Sequence, residues 1–600
     1  MLIQFLAGLA LLLVPFLLGS STSRFRFVLI LSGVIGFHTI VALTTQSVHF
    51  FTYPVLLTIH LIALLILGFV QHWHIHLPSW RHFDYMAVIV VVISILYLGA
   101  AHFYYTGPTT DIASTVREVK NSRDYPYPYY VDEWYAIAFI KQAIATKSLP
   151  VGNPLTNPPA PFPNFEAATH SFLANLTLLL NLDPVQHYTA VSVAFNTIIV
   201  LLLYLILREQ NVHSAPAALA SLGSLYIVSG ANLPGLWTLV PLTMGLVGLF
   251  CTLFFLSRHT LYSALLGSII TLLFYPPLIL FLVPALGVAL LTATNVPSST
   301  KRRITLLSLS AAILTGIVVV LFFVASSPES VRTIGGFISY VWQNALLYQN
   351  FTEGGIPHYS PFTIIPWPLV AAASIGIYFA FRQKRWWLLA PLAVSILLWL
   401  IYSFTPWHVL IGQQRTIITA SLLITLAAGF GFSTIFRYAL YIMRSFPHRV
   451  LVVRVLSVAV PLFFLILLPT YTSRTHWKKL TLTHPETGQL FRPAAPANRY
   501  LHPDDVRIFS NISGQKFLSL PWKGTVIGTA TGNFPAATKS GTISLDPTLP
   551  DRFRAATCKQ KKQIAERNNL TYIYLPAFEC PHFAPLETSS EDLTLYQVSS

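Results

Sequence analysis

Long apolar stretches separated by short polar breaks run through most of the chain. Runs near 1–20, 27–45, 53–70, 85–104, 186–207, 214–230, 235–256, 304–325, 361–381, 386–404, 415–435 and 450–470 each have the length of a membrane-crossing helix, roughly 17–25 residues. Residues 261–294 read as a helix pair broken at Pro276 and Pro277, because proline interrupts the helical hydrogen-bond ladder. The pattern predicts about fourteen crossings. From about residue 471 the period changes. Short apolar runs, "GTVIGTA" and "LTYIYLP", flank the basic helical run "CKQKKQIAERNN", which predicts a small α/β domain.

Composition excludes a soluble globule. Apolar residues make up 54% of the chain and charged residues 10%, with a mean hydropathy of +0.62, too little charge to cover a water-facing surface. The fold class expected is mostly α, a polytopic transmembrane bundle. The net charge of +16 fits anionic membrane lipid rather than nucleic acid, since the basic residues cluster at the ends of apolar segments. Met1 to Leu18 lacks a basic flank and a small-residue cleavage site, so it reads as a first crossing and not as a signal peptide.

Charge also sets orientation. Arg24, Arg26, Arg81, Arg208, Arg258, Lys301 to Arg303, Arg382 to Arg385, Arg437, Arg444 and Arg449 fall on one side if the crossings alternate, and that side is expected to be cytoplasmic. The chain is then a multi-pass protein of the cell membrane. The loops at about 105–165, 326–360 and 405–414 face outward, as does everything after Tyr471. The segment "NFEAATHSFLANLTLLLNLD", 164–183, is helical in pattern, but as a full crossing it would invert every later loop. It is expected to be a short interfacial or re-entrant helix. Four regions result: N-terminal helices (1–104), an outer loop with juxtamembrane helices (105–185), the main bundle (186–470) and an outer α/β domain (471–600).

The outer loop holds the candidate chemistry. In "YPYYVDEWYAIAFIKQAI", 127–144, Asp132 and Glu133 open an apolar helix without an ion partner nearby in sequence. Asp132 as helix cap and Glu133 as complement to the helix dipole is one reading. A carboxylate poised at the membrane surface to take a proton from an acceptor hydroxyl is the other. Tyr125, Tyr127, Tyr129 and Tyr130 suit sugar stacking and equally a membrane interface. Prolines at 150, 154, 158, 159, 161 and 163 keep the following stretch extended and stiff.

Other candidates lie on the same side. Arg415, in "TPWHVLIGQQRTIITA", stands at the outer end of a helix, where it either meets an anion such as a lipid phosphate or snorkels to headgroups; His408 lies close by in sequence. Glu353 and His358, in "NFTEGGIPHYSPF", belong to a glycine-bearing outer loop. Glu166 and His170 are four apart, on one face of a helix. No zinc signature and no glycine-rich nucleotide loop is evident. Cys251 falls in a membrane segment. Cys558 and Cys580 come together if the strand after the tail helix runs back along it, giving a disulfide in an oxidising exterior; two free thiols are the other reading.

The order of these features, an outer acidic pair on a juxtamembrane helix, then "SLPVGNPLT", a proline-rich turn, "NFEAATH" and a helix pair ending in "LLLYLILREQ", resembles the C-type membrane glycosyltransferases, which include protein O-mannosyltransferases and aminoarabinose and arabinosyl transferases. The resemblance covers roughly residues 85–470, and its motifs are short. It implies a polyprenyl-phosphate sugar donor and an acceptor hydroxyl, on a cell-envelope glycan or a protein, attacking the anomeric carbon with inversion. It makes Asp132 the general base, with Glu133 supporting it or helping to hold a divalent cation, Mg or Mn. The charged leaving phosphate calls for a cation, which Arg415 supplies, with His408 assisting or purely structural. Glu353, near His358, is either a second carboxylate over the site, like the acidic residue on the mobile outer loop of related oligosaccharyltransferases, or a solvated loop glutamate. Glu166 and His170 line the cavity or hold a metal, and Tyr130 stacks on sugar or sits at the interface. The chain departs from the family in placing about three helices, rather than one, before the acidic loop. The rival readings are a flippase or transporter of lipid-linked sugar, which calls for mid-membrane charges and repeats, and an envelope polysaccharide polymerase or ligase relying on outer-loop Arg and His.

Overall fold

A computed structural model describes residues 2–18, 23–70, 84–103, 107–110, 116–119, 127–128, 130–160, 162, 164, 166–227, 235–292, 360–405, 410–442, 449–474, 482–483, 490–491, 495–496, 501–539, 543, 545–589 and 592–599. The expected crossing at 304–325, Glu353, His358 and His408 lie outside the described residues.

The first helices are α1 (Leu2–Leu18), α2 (Arg24–Ser47), α3 (Tyr53–Val70), α4 (Tyr85–Phe103), α5 (Val131–Thr146), α6 (Ala167–Leu180), α7 (Pro184–Glu209) and α8 (Ser214–Gly223). They are followed by α9 (Pro241–Ser257), α10 (Leu261–Phe274), α11 (Ile279–Thr292), α12 (Pro361–Ile364), α13 (Trp367–Arg382), α14 (Trp386–Phe404), α15 (Gln413–Ile442) and α16 (Arg449–Arg474). Among the described residues six helices are long and apolar enough to cross a membrane: α2, α3, α7, α14, α15 and the Leu451–Leu468 part of α16. The protein is a polytopic helix bundle. Pro276 to Leu278 form a 3-10 turn between α10 and α11, at the break the two prolines predict.

The segment that resists simple alternation is α6. Its 14 residues span about 21 Å at 1.5 Å per residue, short of the ~30 Å hydrocarbon core. Every residue from Ala167 to Thr177 is buried, so protein rather than lipid surrounds it. Asn181, in the left-handed region at φ 51°, ends the helix. The Asp183 side chain then accepts from the Val185 N–H at 2.7 Å and caps α7.

Close packing sets the position of α15. A Cβ on Gly376 of α13 would collide with the Ala427 carbonyl, and one on Gly431 of α15 with the Ala372 carbonyl. These reciprocal glycines bring the two backbones together, as small residues do at helix crossings in membranes. At the basic ends of the bundle Asp84 joins α2 and α7: it faces Arg24 at 3.4 Å and Arg208 at 3.5 Å, and accepts from the Tyr204 hydroxyl at 2.8 Å.

The C-terminal region contains α17 (Pro503–Ser510), β1 (Lys516–Ser519), α18 (Pro521–Thr531), β2 (Phe534–Pro535), α19 (Leu549–Ala555), α20 (Cys558–Arg567), β3 (Tyr572–Pro576), β4 (Phe583–Thr588) and β5 (Leu593–Val598). The sheet order is β2-β1-β3-β5-β4, parallel through β2, β1 and β3 and antiparallel beyond. Cys558 and Cys580 form a disulfide. This domain docks on α5. The Tyr135 hydroxyl donates to the Lys539 carbonyl at 2.6 Å, and Lys141 Nζ donates to the carbonyls of Thr529 and Ala530 at 2.7 and 2.9 Å, where a cation complements the C-terminal end of α18. Ile543 packs with Tyr135, Phe139 and Leu155.

Candidate functional site

Helix α5 begins after Tyr130, whose backbone is extended (φ −102°, ψ 135°) and whose side chain makes no capping hydrogen bond. Asp132 is the second residue of the helix and so does not occupy the capping position. The turn before it is pinned by the buried Trp134, whose Nε1 donates to the Pro128 carbonyl at 3.1 Å.

The two acidic neighbours have different surroundings. Glu133 is 1% exposed and its Oε1 accepts from the Leu239 N–H at 2.9 Å. The loop carrying Leu239 is itself held by α7: Tyr188 donates to the Leu239 carbonyl (2.6 Å), Ser192 to that of Trp237 (3.1 Å) and Asn196 to that of Thr238 (3.0 Å). Glu133 therefore fastens α5 to the bundle. Burial pushes its carboxyl up to about 8, against the pull of the Leu239 N–H, so it is mostly neutral at pH 7. Asp132 is only half-buried. Burial raises its carboxyl as well, opposed first by the Arg415 guanidinium and then by the Tyr130 hydroxyl.

Arg415 is the third residue of α15 and is half-buried. Its Nη1 donates to the Tyr275 hydroxyl at 2.7 Å, and its guanidinium carbon lies 5.3 Å from the centre of that ring. Among the described residues no carboxylate forms an ion pair with it. Its charge acts on both Asp132 and Glu166. Burial nevertheless pushes Glu166 up to about 7. Tyr275 fits because residue 245 is glycine: a Cβ there would stand 2.6 Å from the Tyr275 Cβ.

Tyr130, Asp132, Glu166 and Arg415, named from sequence, thus gather with Tyr275 from the start of α5, the start of α6, the α10–α11 turn and the start of α15. His170 does not join them. It is buried, stacks on Phe139 at 4.8 Å between ring centres and has Nδ1 3.0 Å from Asn164 Nδ2; its place is in the packing between α5 and α6. Glu166 is the N-cap residue of α6, and its carbonyl accepts from the His170 N–H at 3.2 Å. Tyr275, Tyr188 and the Leu239 N–H were not foreseen. The one local signal for Tyr275 is the helix break at Pro276.

No family model matches the chain, and no curated protein matches it. Among solved structures it is similar to the archaeal oligosaccharyltransferase AglB from Archaeoglobus fulgidus in complex with an inhibitory peptide and a dolichol-phosphate, at 12% identity over 83% of this chain and 70% of that one, with a TM-score of 0.43. It is also similar to the Archaeoglobus fulgidus oligosaccharyltransferase in the apo form, at 14% identity, 83% and 70% coverage and a TM-score of 0.43. A third likeness is to that oligosaccharyltransferase in complex with Zn and sulfate, at 13% identity, 85% and 73% coverage and a TM-score of 0.39. Each is a likeness in outline, and the chemistry of the site rests on its own residues.

A divalent cation is the cofactor to test against this donor set. Among the described residues no three His, Cys, Asp or Glu side chains form a metal-holding group. Glu133 Oε1 accepts from the Leu239 N–H and its Oε2 is buried without a hydrogen-bond partner among the described residues, while the guanidinium charge of Arg415 acts directly on Asp132. By themselves Asp132 and Glu133 would supply two carboxylates to such a cation, and no third His, Cys, Asp or Glu completes a group with them among the described residues. What the site does offer is a half-buried carboxylate able to take a proton beside a preorganised guanidinium able to receive an anion.

Proposed function

We propose that the protein is a membrane glycosyltransferase that moves a sugar from a polyprenyl-phosphate donor to a hydroxyl of an extracytoplasmic glycan or protein. The observation that carries this reading is the pairing of Asp132 with Arg415: a proton acceptor and an anion receiver, both half-buried, with no ion pair between them. The arginine distribution along the chain supports an extracytoplasmic site, and the order of outer-loop motifs supports a lipid-linked donor.

In the proposed step Asp132 accepts the proton of the acceptor hydroxyl as its oxygen attacks the anomeric carbon. The bond from that carbon to the phosphate oxygen breaks, and the lipid phosphate leaves with its electron pair onto Arg415, which Tyr275 holds in place. Charge builds up on the leaving phosphate during this step, where a prepositioned guanidinium stabilises it most. Glu133 acts through Leu239 as a positioning residue for Asp132.

Transfer of labelled sugar from a panel of synthetic polyprenyl-phosphate sugars, by purified protein in lipid, tests the proposal. Turnover of one donor that disappears in Asp132→Asn supports it. Movement of labelled lipid across the bilayer with no donor turned over replaces it with a transporter.

A further inference from the structure

A groove of about 500 Å³, remote from the site above, runs between α1, α2 and α3. Leu11, Leu29, Gly33, Phe37 and Leu67 contribute to its apolar wall. Arg26 lines one end, and His38 and His60 line the other. A Cβ added to Gly33 would meet nothing within 4 Å, so the middle of the groove is open rather than filled by a neighbouring helix.

The two ends differ in chemistry. Arg24 is turned to Asp84 and the Arg208 carbonyl, whereas Arg26 is exposed and pairs with no carboxylate among the described residues. At the other end His60 Nδ1 lies 2.7 Å from the Leu56 carbonyl, and its Nε2 lies 3.0 Å from His38 Nδ1, which Asn175 Nδ2 also approaches at 3.0 Å. The histidines are engaged with one another and with α6, and they close the groove.

Length and position then select an occupant. Arg26 and His38 are twelve residues apart on one helix, about 18 Å, close to the ~15 Å depth of one leaflet of the hydrocarbon core. Tyr188, beside Glu133, and Arg208, beside Arg24, stand at opposite ends of α7, about 30 Å apart. The Arg26 end therefore lies a membrane thickness away from the Asp132 site, out of reach of a donor headgroup bound there.

We propose that this groove holds an acyl chain of an anionic phospholipid from the leaflet opposite the Asp132 site, with the lipid phosphate on Arg26. The cationic rim at headgroup depth, the leaflet-length apolar floor and the open space over Gly33 together match that ligand. The proposal is independent of whether the transfer reaction is correct, since its readout is lipid and not turnover.

The full-length protein, delipidated and exposed to phosphatidylglycerol or phosphatidylcholine of equal chain length, is assayed for retained lipid by native mass spectrometry. Wild type is expected to retain phosphatidylglycerol about fivefold over phosphatidylcholine, the preference one arginine gives for an anionic headgroup. Arg26→Gln, at an exposed position, is expected to retain the two equally. Gly33→Phe is expected to retain neither while melting as wild type does without lipid; should Gly33→Phe fail to fold, Gly33→Leu takes its place. Retention of phosphatidylglycerol by the filled-groove variant at the wild-type level overturns the proposal. So does a headgroup preference that survives in Arg26→Gln, or a lipid-free dimer of wild type that Gly33→Phe abolishes.

Discussion

The guanidinium of Arg415 donates to the phenol of Tyr275 at 2.7 Å, so the residue that opens α15 is held by the turn between α10 and α11. A long, flexible side chain is thereby fixed before any anion arrives, and a charge-assisted bond to a phosphate then forms with less ordering left to do.

Tyr275→Phe removes that hold and leaves the charge. Donor KM is expected to rise by about ten- to hundredfold, the worth of one hydrogen bond to a charged group. Arg415→Gln is expected to lower kcat/KM by about 100-fold or more, and Arg415→Lys to recover only part of it, because an ammonium lacks the planar fork. Steady-state kinetics with a defined donor separates the three variants.

Asp132→Asn keeps the shape of the side chain and removes the base. A fall in kcat of about 10²–10⁴ is expected, with an unchanged melting temperature and a donor KM close to wild type. A variant that keeps wild-type kcat removes Asp132 from the mechanism.

Glu133 gives a pH signature of stability. Its carboxyl is neutral in the fold up to about 8, whereas in the unfolded chain it ionises near ~4.3. Between those values the folded state holds a proton that the unfolded state has released, so its contribution is fully present below the lower value and is lost as pH rises through the upper one. Melting temperatures from pH 5 to 9 are expected to fall less steeply in Glu133→Gln than in wild type. Equal slopes would show that Glu133 is ionised in the fold.

The C-terminal domain has a fully buried ion pair. Lys523 Nζ and Asp505 Oδ2 are 2.6 Å apart with both side chains at 0% exposure, and the Tyr574 hydroxyl donates to Asp505 Oδ1 at 2.9 Å. Asp505→Ala leaves a buried lysine uncompensated and is expected to destabilise this domain by about 3–5 kcal/mol. Limited proteolysis and melting of the full chain measure it. Because the domain grips α5 through Lys141 and Tyr135, the same variant is expected to lower activity without touching Asp132.

Much of this was written in local sequence. Hydrophobic runs of bilayer length set the bundle, since in a membrane the backbone must satisfy its own hydrogen bonds and helices do so within one segment. Pro276 and Pro277 marked the break between α10 and α11, and the change of period in the tail marked a small C-terminal α/β domain. Residue type and position singled out Asp132, Glu166 and Arg415.

What those residues do to one another was decided only by packing. Glu133 and Asp132 are adjacent in sequence, yet one is turned to the Leu239 N–H, 106 residues away, and the other remains half-exposed. Arg415 and Tyr275 are 140 residues apart, brought together because Gly245 leaves room for the ring and the glycines of α13 and α15 let those helices cross closely. His170 lies on the helix its sequence predicts, but its contacts with Phe139 and Asn164 come only from the packing of α6 against α5. Sequence records which groups are present and the period that buries them; burial, hydrogen-bond partner and charge environment are properties of the assembled neighbourhood, which the tertiary fold alone creates.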